Sequence, residues 1–149
     1  MKTNYDYIIG IDPDVDKSGF AMYYPKIEKL ILNQAVLWDV FHDFLLCSAR
    51  DNFLVRLEAG HTVKSTWHKG GNGMAKRVGA NQEIGRQIEK FCKAHNIAYE
   101  LVKPCGLSSI NHDNFCKITG WDSKIKTNPE KRVAGLLAFS KHKHDYAAW

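Results

Sequence analysis

The first half of the chain alternates apolar and polar positions at the period of a strand. Residues 5 to 12 place Tyr5, Tyr7, Ile9 and Ile11 on one face and Ile8, Gly10 and Asp12 on the other, so Asp12 emerges at a strand end where Pro13 stops the ladder. The polar run from Asp14 to Gly19 predicts a turn into a second strand, Phe20 to Tyr24. Ile27 to Val36 predicts a third, which makes a β-meander. Apolar residues at Leu37, Phe41, Phe44 and Leu45 then give the spacing of an amphipathic helix over residues 38 to 50. A further strand over Asn52 to Glu58 sets Phe53, Val55 and Leu57 against Leu54, Arg56 and Glu58, and Gly60 breaks it. Glu58 therefore also sits at a strand end.

The second half changes period. Residues 59 to 74 read as a Gly-rich, basic loop carrying one large aromatic, Trp67. A long helix follows, from about Ala75 to His95, with Ile84, Ile88, Phe91, Cys92 and His95 on one face. Ile97 to Val102 predicts a strand ended by Pro104, and residues 105 to 127 an irregular connection. Asn128-Pro129-Glu130 is a helix start, an Asn cap with Pro at the first helical position, and that helix is expected to bury Val133, Leu136 and Leu137. A last segment, Lys141 to Trp149, carries His142 and Asp145.

With 149 residues, 44% of them hydrophobic, and neither a repeat nor a linker, the expectation is one domain spanning residues 1–149. No apolar run approaches the roughly 18 residues of a membrane span, and no secretory leader opens the sequence, so a soluble, cytoplasmic protein is expected. The four cysteines, Cys47, Cys92, Cys105 and Cys116, form no C-x-x-C pair, and two lie on predicted helix faces, which favours reduced thiols. Cys105, His112 and Cys116 match no familiar zinc spacing.

Charge alters the picture by its placement. Residues 1 to 58 hold 6 basic and 9 acidic side chains, residues 59 to 93 hold 7 and 2, and residues 117 to 143 again 7 and 2. Two readings follow: solvated helix faces, or an acidic metal-binding centre flanked by basic surfaces that meet a polyanion. Three carboxylates fit the second. Asp12 and Glu58 lie at strand ends, and Asp145 lies on a terminal helix with His142 three residues earlier, on the same helical face. Mg²⁺ takes such oxygen ligands, and a pair of such ions hydrolyses phosphodiesters. A calcium loop over Asp12, Asp14 and Asp16 fails, because the sixth and twelfth positions are Lys17 and Tyr23 where Gly and Glu are needed.

These motifs occur in an order that resembles RuvC-type Holliday junction resolvases of the RNase H-like superfamily. Ile9-Gly10-Ile11-Asp12-Pro13 with Ser18-Gly19-Phe20-Ala21 is similar to their first catalytic strand and hairpin, and Val55-Arg56-Leu57-Glu58 to their second catalytic strand. Gly79-Ala80-Asn81-Gln82-Glu83-Ile84-Gly85-Arg86 resembles the helix after that glutamate, and His142-Lys143-His144-Asp145-Tyr146-Ala147-Ala148 the terminal H-x-x-D or D-x-x-D helix. The resemblance implies an α/β RNase H-like fold, a mixed sheet in which an antiparallel meander is followed by parallel strands, with helices on both faces. It implies Mg²⁺, or Mn²⁺ in its place, as two ions held by Asp12, Glu58, His142 and Asp145, with His144 competing for the place of His142. It implies a homodimer that nicks four-way DNA junctions in recombination and repair. Lys64, Lys69, Lys76 and Arg77, and separately Lys117, Lys124 and Lys126, would neutralise phosphates. Trp67 would stack on an unpaired base or else pack against the following helix. The family has Gly after Asp-Pro where Asp14 stands here, a charge that either tunes the metals or faces solvent. Three alternatives compete: a catalytically silent module that binds DNA or a partner protein, a less selective nuclease for branched or flapped DNA, and a kinase of the actin-like class, which one domain cannot build.

Overall fold

The computed structural model describes residues 5–48, 50–62 and 71–140. Five strands form one mixed sheet. β1 (Tyr7–Asp12), β2 (Ser18–Tyr24) and β3 (Lys29–Ala35) make the antiparallel meander, while β4 (Phe53–Glu58) and β5 (Tyr99–Val102) extend it in parallel, in the order β3-β2-β1-β4-β5. β1 is central and both its faces are covered. Its Tyr7, Ile9 and Ile11 join Val55, Leu57 and Ile88 in the core beneath α1 (Leu37–Ser48) and α2 (Gly71–Ala94). Its other face receives α4 (Pro129–Phe139), with α3 (His112–Thr119) packed behind. This is the α/β RNase H-like architecture, with helices on both faces.

The local chemistry explains most boundaries. Asn128 caps α4 by accepting from the Lys131 N–H at 2.9 Å, Pro129 follows it, and Val133, Leu136 and Leu137 are buried as the spacing required. Asn96, at φ 54°, ends α2, and the Ile97 N–H returns to the Cys92 carbonyl at 2.9 Å while both side chains enter the core. No helix among the described residues is long and apolar enough to cross a membrane.

Three boundaries differ from expectation. Residues 105 to 127 are not wholly irregular: Asn111 accepts from the Asn114 N–H, Gly120 closes the helix at φ 76°, and α3 runs between them. Eight residues are too few to form a helix on propensity, and α3 is held by Phe115, fully buried against α4 at Gly135. α2 begins at Gly71, four residues before the predicted start, because an existing helix extends at one hydrogen bond per residue even through poor formers such as Gly71 and Gly73. β5 begins at Tyr99, two residues late, since Ile97 belongs to the α2 cap.

Arg56 shows how the faces are joined. Its side chain, 5% exposed in mid-strand, donates from Nε to Glu100 Oε2 at 3.2 Å and from a guanidinium nitrogen to the Leu137 carbonyl at 3.3 Å. Glu100 is well exposed, so that ion pair contributes little. The bond to α4 matters more, because its loss strands a buried carbonyl. Arg56→Ala is expected to lower stability by roughly 2–3 kcal/mol, read as a fall in the urea midpoint; an unchanged midpoint would show that the tie contributes nothing.

Candidate active site

Asp12 and Glu58 are the last residues of β1 and β4, which run side by side and parallel. The register that sets Gly10 beside Arg56 and Ile11 beside Leu57 carries Asp12 and Glu58 to neighbouring places on the face that α4 covers. Burial raises the pKa of both carboxyl groups. Asp12 is pushed up to about 8, first by burial and then by the negative charges of Glu58, Glu130 and Asp14.

Two glycines set α4 against these strands. A Cβ on Gly10 would lie 2.0 Å from the Ala134 carbonyl oxygen, and one on Gly19 would lie 2.2 Å from that of Glu130. Gly19 is the cross-strand partner of Asp12. The helix backbone therefore rests directly on the strands, with its first turn beside Asp12.

The turn after Asp12 is clamped from α2. Asn81 Oδ1 accepts from the Val15 N–H at 2.8 Å, and the Arg77 guanidinium meets Asp16 at 3.0 Å and Asp14 at 3.5 Å. Asp14 also accepts from the Asp16 N–H at 2.9 Å. The charge standing where the resemblance has Gly is thus neither turned freely to solvent nor at the strand end: it organises the turn and is paired with Arg77. The 3-10 turn Gly60–Thr62, just after Glu58, is held likewise. Gln82 donates to the Gly60 carbonyl at 3.0 Å, and His61, 6% exposed, sits 2.9 Å from Glu89. The His61 bond, with help from Tyr99 and Lys93, outweighs burial and keeps Glu89 below the ordinary carboxylate range.

The expected site residues divide three ways. Asp12 and Glu58 are brought together. His142 and Asp145, with His144, lie outside the described residues, as do Lys64, Trp67 and Lys69. Lys76, Lys117, Lys124 and Lys126 are exposed; Lys76 and Arg77 lie on the α2 end that clamps the Asp12 turn, and Lys124 and Lys126 shortly precede α4. Arg77 is exposed but is already paired with Asp14 and Asp16. Among the described residues no three His, Cys, Asp or Glu side chains are close enough to cage an ion directly. The zinc arrangement fails for a visible reason: His112 uses one ring nitrogen on Thr127 at 2.8 Å and the other on the Ser123 carbonyl at 2.9 Å.

Sequence reading passed over Glu130, Asn81 and the His61–Glu89 pair. Glu130 carried no signal of its own, because a first-turn Glu after a cap is ordinary helix chemistry. Asn81 acts on a residue 66 positions away, and nothing local marks such a contact.

No protein-family model and no curated protein matches the chain. Among solved structures, T. thermophilus RuvC in complex with Holliday junction substrate is similar over 95% of this chain and 94% of that one, with a TM-score of 0.53 and 12% identity. At that identity the likeness speaks to fold, and it agrees with the sheet order and the helices on both faces in assigning this chain the RNase H-like fold.

Proposed function

We propose that the chain is a Mg²⁺-dependent, structure-selective DNA endonuclease that cleaves at four-way junctions. The observation that carries this reading is the pair Asp12 and Glu58: two desolvated carboxyl groups at adjacent parallel strand ends, with no cationic side chain bonded to either among the described residues. Such a pair is unfavourable as two anions and suits a hard divalent cation with oxygen ligands. The donor set thus fits Mg²⁺, with Mn²⁺ as a substitute, held by Asp12 and Glu58 and, in this reading, by Asp145 and His142. When bound, a pair of such ions supplies an activated water and stabilises the leaving oxygen of a phosphodiester.

The chain's own part is positioning. The Arg77–Asn81 clamp and the His61–Glu89 tie hold the turns after the two acids, so the carboxyl groups are fixed before DNA arrives. In this reading Lys64, Lys69, Lys76 and Arg77 on one flank, and Lys117, Lys124 and Lys126 on the other, neutralise phosphates, with Arg77 using guanidinium donors other than the one on Asp14 and Asp16. Trp67 stacks on a base at the crossover. Dimerisation, which would set two such sites on two strands, is proposed through the face of α2 opposite its core stripe, within one domain over residues 1–149.

Cleavage of a labelled four-way junction with Mg²⁺, beside a flap and a linear duplex, tests the reading. Symmetric nicking confined to the junction is the expected result. Equal cutting of the flap would replace it with a less selective branched-DNA nuclease, and tight binding without nicking would make the chain a silent DNA-binding module.

A further inference from the structure

A helix on the surface of a sheet ordinarily has one apolar stripe and an opposite polar face. α1 has apolar residues on both sides. Val40 and Phe44 turn inward to the core, while Trp38, Leu45 and Leu46 turn outward and are 79, 49 and 60% exposed. Between α1 and α2 the outward surface dips into a cavity of about 130 Å³ lined by Trp38, Phe41, His42, Leu45 and Phe91. Phe41 and Phe91 stack with ring centroids 4.3 Å apart and give it an aromatic wall. DNA does not suit this face, because α1 holds two acids, Asp39 and Asp43, and neither Lys nor Arg.

A second copy of the chain fits it on three counts. The first is area: Trp38, Leu45 and Leu46 leave roughly 400 Å² of apolar surface open, close to the apolar part of one side of a standard interface of about 800 Å². The second is shape. The cavity has room for one apolar side chain, and Leu46 projects from the same face, so hole and knob lie together as a self-complementary contact requires. The third is charge. Helical spacing sets Asp39 and Asp43 on the border of the face away from α2, whereas exposed Lys90, next to Phe91, stands on the α2 border. A two-fold axis running along α1 brings the acidic border of each copy to the basic border of the other.

Resting for its use on the nuclease reading above, we propose that two copies meet on the outward face of α1, around Trp38 and Leu46, with α2 as the charged border of the contact. The exposed residues of α2 there are Glu83, Arg86 and Lys90, which supply charge and leave the apolar centre to α1. The same axis fixes where the two sites lie. α1 follows Ala35, which pairs with Ser18 at the end of the sheet that carries Asp12, and it leads toward Phe53, which pairs with Tyr7 at the opposite end. A two-fold along α1 therefore leaves both Asp12–Glu58 pairs at one end of the dimer, where a single branched DNA reaches both.

Sedimentation velocity on the full chain at micromolar concentration, without metal or DNA, tests the contact. The unmodified protein is expected to be a dimer, and Trp38→Glu to raise its Kd at least about thirtyfold, as loss of an anchor at an interface centre does. Ile27→Glu, an exposed position facing the α3–α4 connection, is the control and should leave the Kd unchanged. Asp43→Lys and Lys90→Glu should each weaken the dimer about tenfold by setting like charges together, and the two combined should restore most of it. That pair also keeps the test decisive if Trp38→Glu fails to fold. An unmodified protein that stays monomeric would give this face to a different protein and overturn the proposal. A dimer that persists in Trp38→Glu, or a run of larger oligomers in place of a closed pair, would overturn it as well. A double charge variant as weak as either single one would overturn the two-fold drawn here. Junction cleavage is read separately: a dimer dissolved by Trp38→Glu that cuts no DNA would overturn the nuclease reading and leave the contact standing, and a nuclease indifferent to Trp38→Glu in both assays would do the reverse.

Discussion

Asp12→Asn is expected to abolish junction cleavage while making the metal-free protein more stable at alkaline pH. The loss of activity, to below about a hundredth of the starting rate, follows from removing the central oxygen ligand of the proposed site. The gain in stability follows from the raised pKa. In the unfolded chain Asp12 loses its proton near pH 4, whereas in the folded protein it holds it up to about pH 8. Between those values the folded state binds more protons than the unfolded state, so stability falls as pH rises through the window. The term is complete above about pH 8 and absent below about pH 4. Its size is a few kcal/mol, less than the full shift implies because the strand end is partly solvated. Asn carries no charge to desolvate and removes the term. Urea unfolding in EDTA at pH 5.5 and pH 8.5 measures it: the midpoint gained by Asp12→Asn over the unmodified protein should be larger at pH 8.5. An equal gain at both values would mean that Asp12 ionises normally. Added Mg²⁺ should offset the alkaline loss in the unmodified protein alone, by binding the folded state.

The largest structural effect is expected at Gly10. Its Cβ position in Gly10→Ala would lie 2.0 Å from the Ala134 carbonyl oxygen and 2.7 Å from the Ala138 nitrogen, both backbone atoms of α4. No rotamer change relieves such a contact, so either β1 or α4 must shift. Overpacking typically costs about 1–3 kcal/mol and occasionally more, and a clash against backbone on both atoms belongs at or above the upper end. That corresponds to a fall in Tm of roughly 6–12 °C or more for a domain of this size, with displacement of the α4 first turn from Asp12. Gly79→Ala is the counterpart: it lies in the interior of α2 with nothing within 4 Å of the added carbon, and should raise stability by up to about 1 kcal/mol. Thermal unfolding of the two variants decides the matter; a Gly10→Ala protein melting with the unmodified one would show that α4 does not rest on β1.

Much of this fold was legible one element at a time. Strand-period runs bounded by Pro13 and Gly60 marked β1 and β4 and set Asp12 and Glu58 at their ends, although both strands are buried on both faces up to those last residues. Asn128-Pro129 marked the start of α4 from cap chemistry alone, and the Ile84, Ile88 and Cys92 stripe marked the buried side of α2. The mixed sheet came from the order of motifs and their resemblance to a known family, not from periodicity. α3 was missed because a single buried ring, Phe115, holds a helix too short and polar to show a stripe.

What the sequence determined by itself was therefore the identity of the strands and of the longer helices, and the buried stripes of α2 and α4, since burial and capping act within a few residues and leave a local pattern. Only the tertiary structure decided that Asp12 lies beside Glu58, that Arg77 and Asn81 clamp the turn between β1 and β2, that Arg56 reaches a carbonyl 81 positions away, and that Glu130 arrives at the strand ends. Those contacts join parts of the chain with no local relation, and their geometry is set by how closely one backbone can approach another, which Gly10 and Gly19 control without any periodic signal.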